Sequence, residues 1–119
     1  MRAVAFSLLL LAGCRDRSPE VATGGDADLG RDHVIEYGCA ACHSIPDMHA
    51  IGGGGGLVGP PLTGFARRSY IGGHLPNNPA NLEQWLRDPH TIDPGTAMPK
   101  LGLTEKEARD VAAYLYTLD

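Results

Sequence analysis

Cys39, Cys42 and His43, in the run "CAACH", carry side chains that form thioethers, disulfides and metal bonds. On one helical turn, positions i and i+3 point the same way and i+4 lies beside them, so the two thiols and the imidazole converge. Three chemistries use such a cluster. Two thiols can add across the two vinyl groups of a haem edge, and the next residue then puts an imidazole under the ring at the iron. A zinc corner needs four ligands. His49 could join the three, but adjacent Cys42 and His43 make an awkward tetrahedral pair and no second, distant pair follows. A disulfide-exchange site calls for a preceding strand and a βαβ pattern, and neither is present. The motif favours a covalent haem, with a zinc-stapled binding module as the alternative.

Haem iron usually takes a second axial ligand, and the candidates are Met48, Met98, His33, His49, His74 and His90. Met48 and His49 follow His43 too closely to reach the opposite face without a chain reversal. Met98 lies in "DPGTAMPK", where Pro94, Gly95 and Pro99 give a stiff, compact path that can hold a thioether at a fixed point. A lone methionine is more often a gap-filler in a core; the loop around this one tips the reading toward a ligand. The other histidines read as surface residues.

The elements that must position these groups are helical. A first helix is expected over about residues 28–37, capped by Asp26 or Asp28 and ended by Gly38. Thr63 could cap a short helix through "GFARRSYI". Asn78 and Pro79 open a helix to about Arg87, with Leu82, Trp85 and Leu86 on one face and Pro89 ending it. Thr104 and Glu107 form a capping box ahead of Ala108, Val111, Ala112 and Leu115, which follow the helical period. No segment alternates as a long strand does. The expected class is all-α, with Gly/Pro-rich connections that need something to wrap around. The run Gly52–Gly56 reads as a surface loop without chemistry.

The chain has 119 residues, enough for one small domain, and its formal charge of -4 argues against nucleic acid as a partner. With 6% aromatics the supply for a core is thin, and a domain this small often needs a staple such as a metal, a disulfide or a cofactor. The start, "MRAVAFSLLLLAGC", reads as an export signal too short to span a bilayer. Its end, "LAGC", resembles the lipobox of bacterial lipoproteins. That resemblance implies cleavage after residue 13 and a lipid on Cys14; an ordinary secretory signal with an incidental cysteine is the plain alternative. Residues 14–27 then form the lipidated cysteine and a polar tether, which would span about 20 Å as a random coil. Losing Arg2 with the leader takes the formal charge from -4 to -5.

Together "CAACH", "GPPLTG", "WLRDPHTIDPGTAMP" and "TEKEARDVAAYLYTL" resemble class I c-type cytochromes over about residues 28–119. The likeness extends to the haem domains appended to terminal oxidase subunit II. It implies a small cytochrome c fold of three to five helices around one covalently attached haem c. By the same resemblance Cys39 and Cys42 form the thioethers, His43 and Met98 ligate iron, and the Pro60 carbonyl holds the His43 imidazole. Tyr114 would pack on the first helix. Arg68, Tyr70 and Trp85 are candidate haem neighbours, with Arg68 or Tyr70 bonding a propionate; a solvated arginine, a surface tyrosine and a core tryptophan are the plain alternatives. Two departures stand out. The glycine run lengthens the loop before Pro60, and Gly30 sits one position from where the family's small crossing residue is expected.

Iron held on both faces has no open site for a substrate and can change oxidation state without rearranging bonds. The expected function is one-electron transfer between redox proteins rather than catalysis, by an exported, lipid-anchored carrier on the periplasmic side. The alternative is a haem subunit of a periplasmic dehydrogenase or terminal oxidase. Residues 43–103 hold four Lys/Arg against four acids, so strong electrostatic steering of a partner is not implied.

Overall fold

The computed structural model describes residues 21–46, 48 and 58–119. The proposed leader, Cys14, the tether up to residue 20, His49 and the glycine run lie outside the described residues. The first helix, α1, spans Ala27–Glu36. Asp26 caps it by accepting from the amides of Asp28 and Leu29. It ends where Gly38 takes a φ of +70°, a left-handed conformation that suits glycine, with its N–H returned to the Ile35 carbonyl.

After a 3-10 turn at Cys39–Ala41 the chain passes through His43 and returns past Pro60 to a second 3-10 turn, Phe65–Arg67. The sequence reading of a longer helix capped by Thr63 is corrected here. Gly64 precedes the turn in a left-handed conformation, and no side chain caps it. Tyr70–Ile71 leave the turn as strand β1, antiparallel to β2 at Leu75–Pro76, with Tyr70 opposite Pro76 and Ile71 opposite Leu75. This hairpin is a small addition to an otherwise helical fold.

The next helix, α2, covers Pro79–Arg87, with the Asn78 side chain accepting from the Asn81 amide and proline in the first turn. Pro89 stops it and opens a one-turn helix, α3, at Pro89–Ile92. The last helix, α4, spans Glu105–Leu115, and its Thr104–Glu107 capping box is complete in both directions.

The core lies where α1, α2 and α4 meet. Val34, Leu82, Trp85, Leu86, Ala108, Val111, Ala112 and Leu115 are all buried there. Each large apolar side chain so buried contributes about 1.5–3 kcal/mol relative to exposure. The crossing of α1 over α4 needs glycine. A side-chain carbon on Gly30 would run into the carbonyl of Asp110 and lie 3.0 Å from Tyr114 Cβ. The small residue expected one position away is therefore Gly30 itself, and Tyr114 packs at the crossing. His33 is no plain surface residue either: its side chain is only 19% exposed and its Nε2 lies 3.7 Å from the buried Asp110 carboxylate.

Candidate haem site

The CAACH segment follows α1 directly, so the rigid helix fixes its origin. The Cys42 and His43 amides both donate to the Cys39 carbonyl, at 3.2 and 3.0 Å. These bonds wind the motif into a single turn, from which Cys39, Cys42 and His43 all line one cleft. The following segment is laced back onto it. Gly59 N–H donates to the Cys42 carbonyl and Leu62 N–H to the Ser44 carbonyl, each at 2.8 Å.

That lacing sets the histidine. His43 Nδ1 lies 2.8 Å from the Pro60 carbonyl oxygen. A carbonyl can only accept, so Nδ1 carries the proton and Nε2 keeps its lone pair for a metal. Gly59 is part of the same fit. A Cβ there would sit 2.6 Å from His43 Nδ1, so no side chain can stand between the ring and the backbone.

A cleft opens on this turn in two lobes, of about 170 and 80 Å³. Cys39, His43 and Met98 line both. Cys42, Pro60, Val58 and the segment from Thr96 to Pro99 complete the larger lobe. The smaller one is walled by Val34, Leu82, Trp85 and Val111 of the core, with Arg68 and Tyr70 toward its edge. Among the candidates for a second ligand that fall in the described residues, Met98 lines the cleft, whereas His33, His74, His90 and Met48 line neither lobe. Met48 is buried in the core at 1% exposure.

Several neighbours were not singled out from sequence. Gly72, at φ +56°, lies against Trp85, where an added Cβ would be 2.5 Å from Cη2. Asn77 donates to the Phe65 and Arg68 carbonyls at 3.1 and 2.9 Å and accepts from Tyr116 Oη at 2.8 Å, holding the wall behind the smaller lobe. The doubled Asn77–Asn78 was the available signal; the capping role of Asn78 accounts for only one of them. Arg68 donates to the carbonyls of Pro61 and Thr63, and its guanidinium lies 5.7 Å from the centre of the Phe65 ring. Tyr70 is 62% exposed.

Burial pushes the Cys39 thiol above its ordinary pKa, and the neighbouring Cys42 adds to the rise. That is the reverse of a disulfide-exchange cysteine, which depends on a stabilised thiolate.

The family model described as cytochrome c matches residues 27–119. The chain belongs to the cytochrome c family. As a class I c-type cytochrome it is an electron carrier that binds haem c covalently, and the donors in the cleft fit that group: two thiols, an imidazole with Nε2 free to bind, and a thioether, between apolar walls. The cytochrome is 39% identical over 93 residues to a cytochrome c oxidase subunit 2 of Alkalihalophilus pseudofirmus, covering 77% of this chain and 25% of that one. It is 35% identical over 100 residues to a cytochrome c-type cyt cy of Rhodobacter capsulatus, covering 79% and 50%. A cytochrome c oxidase subunit 2 of Bacillus subtilis is 32% identical over 88 residues, covering 69% and 24%. The chain thus matches a quarter to a half of the length of these relatives. Among the described residues no helix is long and apolar enough to cross a membrane.

Proposed function

We propose that this cytochrome is a membrane-anchored monohaem carrier, with thioethers at Cys39 and Cys42 and iron held between His43 Nε2 and Met98 sulfur. It passes single electrons between respiratory partners on the periplasmic side. The observation that carries the reading is the cleft lined by Cys39, His43 and Met98, with His43 Nδ1 committed to Pro60. The haem supplies the one-electron chemistry. The chain's own work is orientation and exclusion of water. The Pro60 carbonyl fixes the imidazole's tautomer and raises its basicity. Trp85, Leu82 and Val111 wall one lobe with apolar surface, and Arg68 or Tyr70, which also line it, would hold a propionate. A thioether ligand raises the potential relative to a second imidazole.

The domain limits belong to this reading: residues 1–13 a cleaved leader, 14–27 an acylated Cys14 with its tether, and 28–119 the haem domain, with the end of the tether from Gly25 onward docked on α4 and Ala27 already in α1. A second role is favoured by the oxidase subunit 2 relatives, in which a segment similar to this chain is part of a larger polypeptide. On that view the cytochrome is the haem subunit of an oxidase or dehydrogenase complex. Isolation from native membranes separates the two, because a stoichiometric catalytic subunit co-purifying with the cytochrome supports the complex.

The ligand assignment is tested by Met98→Ala in the haem-loaded protein. The haem should stay attached, its potential should fall, and ferric iron should bind added imidazole. A thioether-to-iron charge-transfer band that is absent from the wild type, or that survives the substitution, refutes the assignment.

A further inference from the structure

We propose that Asp93 is a positioning residue for Met98, folding the segment that carries the thioether to the cleft. The proposal rests on Met98 as an iron ligand. Asp93 Oδ1 accepts from the Gly95 amide at 2.9 Å, and the Asp93 carbonyl accepts from the Thr96 amide at 3.1 Å. Thr96 Oγ1 in turn accepts from the Met98 amide at 3.2 Å. Pro94 and Pro99 bring no N–H of their own. From Gly95 to Met98 the described bonds at the amides of Gly95, Thr96 and Met98 therefore run through Asp93 or Thr96. Such side-chain-to-backbone bonds define a turn where no helix or sheet ladder does.

Asp93 is itself held from two sides. Its amide donates to the Pro89 carbonyl at 2.9 Å, so α3 sets its position. Its second oxygen, Oδ2, lies 3.4 Å from His74 Nε2 in the turn between β1 and β2. That turn includes Gly72, which seats Trp85, and both Trp85 and Met98 line the smaller lobe. One carboxylate therefore joins the segment bearing Met98 to the opposite wall of the cleft. Oδ1 shapes the turn, while Oδ2 faces a half-exposed histidine and adds little.

The test uses haem-loaded full-length protein and two readouts, the thioether-to-ferric-iron charge-transfer band and the affinity of ferric iron for added imidazole. Asp93→Ala removes the Oδ1 acceptor. It should weaken the band and raise imidazole affinity about fivefold to tenfold, the scale of one lost hydrogen bond. Asp93→Asn keeps an acceptor at Oδ1 and should return both readouts to within about twofold of wild type. Thr96→Ala breaks the next bond in the series and should shift both in the same direction, with Thr96→Ser restoring them; this pair decides the matter if Asp93→Ala fails to fold. Wild-type values in Asp93→Ala and Thr96→Ala overturn the proposal, as does an Asp93→Asn variant as impaired as Asp93→Ala. A wild-type protein lacking the band removes Met98 as ligand and this proposal with it, whereas a normal wild-type band with unmoved variants removes the role of Asp93 alone.

Discussion

The Asp110 carboxylate, almost fully buried, accepts the main-chain N–H of Asp26 at 2.9 Å and so fastens the N-cap of α1 to the middle of α4. Burial pushes its pKa up, but the hydrogen bond from Lys106 Nζ at 2.7 Å, the Asp26 amide and nearby His33 outweigh that, and the carboxyl lies below the usual aspartate value. A folded-state pKa below the unfolded one means folding favours the ionised form. The stabilisation is full above the unfolded pKa and is lost as pH falls through the folded one. Asp110→Asn should therefore be less stable than wild type by about 1–3 kcal/mol at neutral pH. The gap should close as pH falls below about 4. Thermal melts of both proteins across the acid range check this.

Gly30→Ala tests the crossing. Helix propensity alone would make alanine the better residue by about 1 kcal/mol. The Asp110 carbonyl and Tyr114 Cβ leave it no room. Overpacking of this kind costs about 1–3 kcal/mol, and backbone yields less readily than a side chain. A lower melting temperature is expected; an unchanged or higher one would show that the helices separate freely.

Burial pushes the Tyr116 phenol from an ordinary 10.0 up to about 12. The folded state then prefers the protonated form, so this contribution to stability is present below pH 10 and is lost as pH rises toward 12. Tyr116→Phe should flatten the alkaline limb of the stability curve. It should also cost about 1–2 kcal/mol at neutral pH, because Asn77 Oδ1 loses its donor. Denaturant melts at several alkaline pH values measure both effects.

Cys14→Ser should block lipoprotein processing, leaving an uncleaved precursor or a product cut elsewhere. One acyl chain holds a protein to a bilayer only marginally, while several hold it firmly. Intact mass of membrane-extracted protein is decisive. A chain beginning at Cys14 with diacylglyceryl and haem masses supports the anchor, and an unmodified Cys14 in the membrane fraction contradicts it.

What the sequence disclosed was local. The Thr104–Glu107 box and the Asn78–Pro79 start involve partners within three residues, so their chemistry could be read off directly. The CAACH cluster is legible for the same reason, since one turn brings its members together. The fit of Gly30 depends on Asp110, far along the chain, and no local pattern reveals it. β1 and β2 are two residues each, too short for alternation, and the left-handed Gly72 and Gly73 set the turn between them. Arg68 could be named a neighbour of the haem, but its bonds to the Pro61 and Thr63 carbonyls depend on how residues 60–68 fold back on themselves. Asp93 carries no local signal in the sequence, and its link to His74 depends on the hairpin being in place.

The clasp between Asp26 and Asp110 also makes the domain portable. Gly25 rests so closely on the Arg109 backbone that it has no room for a side chain, and the next amide is already bound to Asp110. Whatever is spliced ahead of residue 25 thus meets a fixed point on α4, at Arg109 and Asp110, which do not line the cleft. At the other end the Leu118 carbonyl accepts from the Ala66 amide, which holds the last residues down as well. Domains with their own core tolerate fusion where the chain enters at the surface. A leash, a foreign domain or a membrane-spanning segment could be exchanged at that junction while the cleft keeps its shape.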